Sequence, residues 1–261
     1  MSFESDSHEC DLFLLSSHHP YLANRALTQF ANLGRRNIHG WGIGAYLNGQ
    51  PNVVKSSDPA VQYGKEEDKE SLNAEFSAAI RSALGAPILG HLRLQSRGDL
   101  RSENNHPFRL KFLVYEWLLV HNGSSHRTDD LVPHDEQLLV ESTCDSARVF
   151  EFLRKEIIDY SCADTKHSLI HACRTAFGKL LEFDSDGSYN LILSNGHLSF
   201  CLVHWRSFYL LHRDKDSGDT ALISTLKLTE DEEWTEFRKK TNKRAKVLVF
   251  SGPTLIYNGD I

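Results

Sequence analysis

The chain has 261 residues, 40% hydrophobic and 25% charged, the composition of a folded globular protein with sequence enough for one large core or two ordinary ones. Its 29 Lys and Arg against 35 Asp and Glu leave a formal net charge of -6, so a general binder of phosphate backbones would need a segregated basic face. No apolar run reaches the roughly 18 to 20 residues that span a bilayer, and the opening MSFESDSHE lacks the basic-then-apolar order of a signal peptide.

CDLFLLSS, from Cys10, is an apolar, strand-like run. HHPYLANRALTQFANLG follows with helical periodicity, and Gly34 is placed to terminate it. GWGIGAYLNGQPNVVKSS reads as two strands joined by Asn48-Gly49, a dipeptide suited to the positive-φ positions of a tight hairpin. Gly40, Gly42 and Gly44 either let backbone approach a ligand or loosen the strand entry, and the residues alone do not choose. From Glu66 to Leu84 the apolar positions Leu72, Phe76, Ile80 and Ala83 recur near one helical face, with Gly85-Ala86-Pro87 as a stop.

ILGHLRL is short and strand-like, and FLVYEWLLVHNG from Phe112 to Gly123 reads as one buried strand ending in a glycine turn. STCDSARVFEFLRKEII predicts a helix with Ser142, Thr143 or Asp145 as its cap, and a second helix spans roughly Ala163 to Leu181. In YNLILSNGHLSFCLVH, Asn195-Gly196 marks a hairpin, and RSFYLLHR, TALISTL and AKVLVFSG are further strands. Strands open the chain, helices occupy its middle and antiparallel strands dominate its end. This order lacks the alternating rhythm of a dinucleotide-binding domain, no GxGxxG opens a helix at the right place, and an α+β fold of sheets sandwiched with helices is expected.

The densest basic stretch, RKKTNKRAK from Arg238 to Lys246, reads as a solvated turn or helix end with no aromatic-rich recognition motif beside it, so neither nucleic acid nor membrane is expected as a partner. Five cysteines are too few for a disulfide scaffold of this size, which fits a reducing compartment and a cytoplasmic location. No pair has CxxC spacing, HSLIHAC is a poor match to a zinc site, and no metal or cofactor is expected.

Cys10 is the first cysteine, held directly before an apolar strand, and is either a nucleophile or a buried structural thiol. A cysteine nucleophile needs a base and donors for the oxyanion that forms when a carbonyl is attacked. Arg93 can clamp a carboxylate, Ser96 can add a hydroxyl, and Asn122 with Gly123 can supply amide donors; a surface ion pair and a simple turn are the plain alternatives. His106 precedes Pro107, which restrains the backbone and can aim the imidazole into a cleft, unless it is a loop histidine bonded to nearby backbone. Asp145 either accepts from a substrate ammonium or caps the helix that follows. A papain-like pairing of Cys10 with His106 or His121 leaves Arg93, Asn122 and Asp145 without a task.

Taken in order, CDLFLLSS at Cys10, HGWGIGAY at His39, GHLRLQSRG at Gly90, NNHPF at Asn104, VHNG at Val120 and STCDS at Ser142 resemble the class II glutamine amidotransferases, especially their small stand-alone branch with γ-glutamyl hydrolases. The resemblance covers most of the first 150 residues. It implies the N-terminal nucleophile hydrolase fold, a four-layer αββα sandwich with mainly antiparallel sheets, as a single domain over residues 10–261. It also implies Cys10 as nucleophile, Asn122 and Gly123 at the oxyanion, Arg93 and Ser96 on the substrate α-carboxylate, His106 shaping that pocket and Asp145 on the α-ammonium. The implied substrate is glutamine or another γ-glutamyl small molecule, hydrolysed to glutamate, with a separate synthase subunit as the partner if ammonia is passed on.

In that family the nucleophile becomes the first residue of the mature chain and its own amine serves as base. Here nine residues precede Cys10, and removal of Met1 would expose Ser2. Residues 1–9 are therefore read as a propeptide removed between Glu9 and Cys10, or as an extension retained on an inactive, binding form of the fold. Arg97 after Ser96, Cys144 before Asp145, and Ala147 where an acidic residue is common depart from the family pattern.

Overall fold

β1 (Asp11–Ser17) is buried along its whole length because both of its faces are covered, Leu12 and Leu14 packing into one core and Phe13 and Leu15 into another. That double covering is why an unbroken apolar run, rather than an alternating one, marks it. The structure is a computed structural model that describes residues 10–63, 70–95, 99–132, 137–163, 165–214, 218–237 and 245–261. After β1 come β2 (Tyr21–Leu22), α1 (Asn24–Ala31) with a 3-10 turn over Asn32–Arg35, β3 (Trp41–Leu47), β4 (Gln50–Ser56), β5 (Val61–Tyr63), β6 (Glu70–Leu72), α2 (Ala74–Ser82), β7 (Leu84–Gly85) and β8 (Ile88–Leu92). β9 (Phe108–Phe112), β10 (Tyr115–Ser124), α3 (Thr128–Leu131), α4 (Asp145–Tyr160) and α5 (Lys166–Phe183) form the middle. β11 (Ser188–Ser194), β12 (Ser199–Val203), β13 (Phe208–Arg213), β14 (Thr220–Ser224), β15 (Thr235–Phe237), β16 (Lys246–Ser251) and β17 (Thr254–Asp260) complete it.

Two antiparallel sheets are stacked. The first runs β15-β13-β14-β1-β8-β3-β4 and the second β17-β16-β12-β11-β10-β9. Leu12, Leu14, Leu89, Leu118, Val120 and Ile192 fill the space between them. α1 and α2 cover the outer face of the first sheet through Leu27, Phe30, Phe76 and Ile80, and α4 and α5 cover the second through Phe150, Leu153, Phe177 and Leu180. The layers are α, β, β, α, the mainly antiparallel sandwich expected. Among the described residues no helix is long and apolar enough to cross a membrane.

The hairpin at Asn48-Gly49 forms with φ of 53° and 73°, and Asn195 seals the β11-β12 turn by accepting the His197 and Leu198 N–H groups at 3.0 and 2.8 Å. Other boundaries differ from expectation. The run from Phe112 to Gly123 is not one strand: Leu113, at φ 52°, and Val114 turn the chain between β9 and β10, and neither residue carries the chemistry that usually announces a turn. The helix expected from Glu66 to Leu84 is shorter, because Glu70–Leu72 pairs as β6 and Asn73 caps α2 by accepting from Glu75 and Phe76. The N-cap of α4 is Cys144, so Asp145 is the first helical residue. Residues 238–244 of the basic stretch lie outside the described residues, while Lys246 begins β16 and bonds Asn258 and Asp260.

Candidate active site

Cys10 stands one residue before β1, half-buried. The register Asp11↔Leu92 and Leu12↔His91, carried one step further, sets Cys10 beside Arg93. Its Sγ lies 3.3 Å from both the Leu94 N–H, which donates to it, and the Leu94 carbonyl, to which the thiol donates. Its carbonyl accepts from Asn122 Nδ2 and, at 3.4 Å, from Arg206 Nη1. The next residue, Asp11, is a buried carboxylate that accepts from Asn37 Nδ2 and Thr225 Oγ1, each at 2.7 Å, with Arg206 Nη1 3.6 Å away. The nucleophile candidate is thus attached to an anchored carboxylate whose partners come from α1's exit, the end of β14 and the turn after β12.

Of the remaining thiols, burial pushes those of Cys144, Cys173 and Cys201 above their ordinary pKa, which suits side chains packed in the cores rather than reactive groups. Arg93 is buried, and its Nη1 donates to Asn105 Oδ1 and the Asp99 carbonyl, each at 3.2 Å. Asn105 donates in turn to the Ser56 carbonyl at 2.6 Å. Ser96 lies outside the described residues. Asn104 does separate work: its Oδ1 accepts from Ser142 Oγ and Thr143 N–H at 2.8 and 2.9 Å, tying the loop after Arg93 to the entry of α4.

The glycines of HGWGIGAY serve close approach of chain to chain. A Cβ on Gly40, which has φ 115°, would meet the Asn105 carboxamide; one on Gly42 would meet the His106 carbonyl; one on Gly44 would lie 2.6 Å from Leu118. The NNHP segment therefore seats directly on β3. His106 is buried there, its Nδ1 3.3 Å from His91 Nε2 and its ring packed against Phe108. Burial drives the His91 pKa down to about 3 and that of His106 well below the ordinary value, with the Arg93 cation and the neighbouring histidines adding to it. Both rings are neutral near pH 7.

Asn122 is fully buried, and its carboxamide reaches Cys10 from the second sheet. Gly123, at φ 140°, fits where a Cβ would collide with the Ser188 carbonyl. Three residues past Asn122, the Ser125 N–H donates to Asp145 Oδ2 at 2.9 Å, while Asp145 Oδ1 accepts from the Ser146 N–H at 2.9 Å. Asp145 thus meets its own helix N-terminus and the end of β10 together, the position that favours a negative charge. His121 joins the same group, its Nδ1 2.9 Å from Ser146 Oγ, and burial lowers its pKa against the opposing pull of Asp145.

Several anchors carry no sequence motif. Asp184 is buried and its Oδ2 accepts from Tyr189 Oη, Ser125 Oγ and the N–H groups of His126 and Arg127 at 2.6, 2.8, 2.8 and 3.3 Å, which fixes the segment that meets Asp145. Asp11, Thr225 and Arg206 secure the other side of Cys10. Asp184 caps the end of α5, Arg206 and Thr225 lie in turns after strands, and Asp11 opens β1, so a lone polar residue at the edge of an apolar run is their local mark in the sequence. Among the described residues no three His, Cys, Asp or Glu side chains converge as a metal-binding group. The structure thus sets the half-buried Cys10 thiol against Leu94, one residue past the buried Arg93, with the Asn122 carboxamide on the Cys10 carbonyl, while Asp145 is held separately at the junction of β10 and α4.

A protein of Haemophilus influenzae named "Putative glutamine amidotransferase" is 23% identical over 190 residues, covering 62% of this chain; the matched part spans 63% of that relative. Among solved structures, a predicted glutamine amidotransferase from Pseudomonas aeruginosa PA01 superposes with a TM-score of 0.63 at 17% identity, covering 95% of this chain and all of the other. The glutamine phosphoribosylpyrophosphate amidotransferase of B. subtilis gives 0.66 at 15% identity over 96% of this chain and 49% of its own, a likeness of fold. The family model described as glutamine amidotransferases class-II matches residues 9–216, and the chain belongs to that family.

Proposed function

We propose that the protein hydrolyses the γ-glutamyl amide bond of glutamine or a related γ-glutamyl compound, as one class II domain over residues 10–261 with Cys10 as nucleophile. The observation that carries this reading is the setting of Cys10, its sulfur against Leu94 beside Arg93 and its main chain gripped by Asn122. Arg93, with Ser96, holds the substrate α-carboxylate, Asp145 takes the α-ammonium and His106 backs the pocket, so the amide carbon is brought to sulfur.

Cleavage between Glu9 and Cys10 frees the α-amine that acts as base. The amine takes the thiol proton; the thiolate attacks the amide carbon, and the displaced electron pair rests on oxygen facing Asn122 and Gly123. Collapse forms the thioester and expels ammonia or an amine, which takes the proton from the α-ammonium of Cys10. Water, deprotonated by the same amine, then cleaves the thioester to glutamate and restores the thiol. All five cysteines are free, which supports a reducing, cytoplasmic setting.

A second reading, an unprocessed γ-glutamyl-binding form, draws on the nine residues before Cys10 and on an Asp145 carboxylate already supplied with main-chain donors. N-terminal mass analysis combined with glutamine and a panel of γ-glutamyl amides separates the two, with Cys10→Ala as control. Glutamate release by Cys10-terminated protein supports hydrolysis; binding without release by an intact chain supports the second reading. Processed protein that neither binds nor cleaves the panel sinks both. Ammonia release that appears only when a second protein is added would mark a synthase subunit.

A further inference from the structure

The carbonyl of Cys10 receives two donors that arrive by one structural route. Asn122 in β10 faces Asn190 in β11 as a cross-strand pair. Asn122 reaches the Cys10 carbonyl directly. Asn190, fully buried, accepts with Oδ1 from the N–H groups of His204, Trp205 and Arg206 at 3.3, 2.7 and 2.9 Å and donates with Nδ2 to the Arg206 carbonyl at 2.7 Å. Four hydrogen bonds to one carboxamide hold the turn after β12, and that turn carries Arg206 to the Cys10 carbonyl and the Asp11 carboxylate. In the first sheet β1 lies between β8 and β14, with Arg93 just past β8 and Thr225 just past β14. Arg206 shares Asp11 Oδ1 with Thr225, so it flanks Cys10 on the side away from Arg93.

We propose that Arg206 is a positioning residue for Cys10: paired with Asp11, it holds the nucleophile's main chain and sets the local charge that governs how readily the thiol gives up its proton. The pair is asymmetric, since Asp11 is 1% exposed and Arg206 24% exposed at the side chain. Charged or titratable groups on the elements that reach Cys10 include Arg93 and His91 on the β8 side, His39 through its bond to the Gln95 N–H, His121 next to Asn122 in β10 and His204 in the turn that carries Arg206. A guanidinium near a thiol favours the thiolate, and a carboxylate near it opposes ionisation. Removing either member therefore unbalances the thiol in a direction fixed by the sign of the charge left behind. This holds whether or not residues 1–9 are removed, and so stands apart from the hydrolase reading.

The test follows the alkylation rate of Cys10 by iodoacetamide against pH in the full chain, read by mass on the Cys10 peptide, so that the other thiols do not enter and neither processing nor activity is required. Arg206→Gln should raise the apparent thiol pKa and Asp11→Asn should lower it, each by about half to one pH unit, while Arg206→Lys stays near the parent. Thermal unfolding of each variant shows whether the fold is retained. Opposite shifts support the proposal; folded variants whose curves do not move, or move the same way, overturn it. If Arg206→Gln does not fold, Asp11→Asn decides alone: a downward shift supports, no shift or an upward one overturns. Absence of glutamate release by the Cys10-terminated parent protein, with the expected alkylation shifts, would count against the hydrolase reading and leave this inference standing.

Discussion

The stretch from Cys10 to Asp145 and the stretch from Asp184 to Thr225 contribute to the same end of the sandwich in different ways. The first supplies groups suited to touching a substrate, Cys10, Arg93, Asn122 and Asp145, and they fall in short motifs. The second supplies Asp184, Asn190, Arg206 and Thr225, which bond the Cys10 carbonyl or residues in the segments next to the first group and form no motif. The groups proposed to act on a small molecule sit at loop and strand ends, where flanking Gly, Asn and Pro leave a readable pattern. Groups that hold them act through pairing across a sheet, and a partner more than one hundred residues away leaves no local trace.

The comparison breaks most visibly if Cys10 is dispensable. Cys10→Ala is expected to lower glutamate release from a γ-glutamyl amide by about 10³-fold or more, to background, because Cys144, Cys173 and Cys201 are buried and Cys162 is exposed just past α4. Retained turnover would remove the distinction between acting and holding residues. Asn122→Ala should cost about 10²-fold in kcat with little change in KM, the pattern for a donor that matters most when the oxyanion has formed. An equal effect on KM alone would make Asn122 a binder of the substrate ground state rather than of the oxyanion.

Asp184 sharpens the comparison from the other stretch. Burial acts to raise its pKa, but the bonds from Tyr189, Ser125 and the N–H groups of His126 and Arg127 outweigh it and hold the carboxyl below its usual range. A carboxyl depressed in the folded state stabilises fully above its unfolded pKa, and that contribution is lost as pH falls through the lower folded value. Asp184→Asn should destabilise by about 1 to 3 kcal/mol near pH 7 and flatten the acid side of the stability curve, checked by urea unfolding from pH 7 down to 3. The smallest effect is expected at Leu113, 40% exposed at φ 52° in the β9-β10 turn. Leu113→Gly should raise stability by about 0.5 kcal/mol, or at most 1, since glycine adopts that conformation freely, and a thermal melt reads it.

Much of the fold was legible. The runs at β1, β11, β12 and β16 are apolar because both sheets are covered on two faces, and Asn48-Gly49 and Asn195-Gly196 announce their turns through φ. The β9-β10 hairpin was not legible because Leu113-Val114 continues the apolar pattern through the bend. β17 and the short strands β5 and β6 escaped notice for the opposite reason: their sequences alternate weakly and take their form from neighbours. In the site, Cys10, Arg93, Asn122 and Asp145 were each ambiguous alone and gained meaning only in series. Gly40, Gly42 and Gly44 left two readings open that the packing of Asn105, His106 and Leu118 decides in favour of close approach.

By itself the sequence determined which segments are buried and where two hairpins turn, because periodicity and φ preference are local properties, and its series of motifs carried the resemblance to class II glutamine amidotransferases from which the roles of the site residues are proposed. Only the tertiary structure decided that Asn122 and Arg206 meet on one carbonyl, that Asp11 rather than solvent faces Thr225, and that Asp184 holds the segment supporting Asp145. Those contacts depend on strand order and register, which arise from the packing of two sheets and cannot be written in any one stretch of chain.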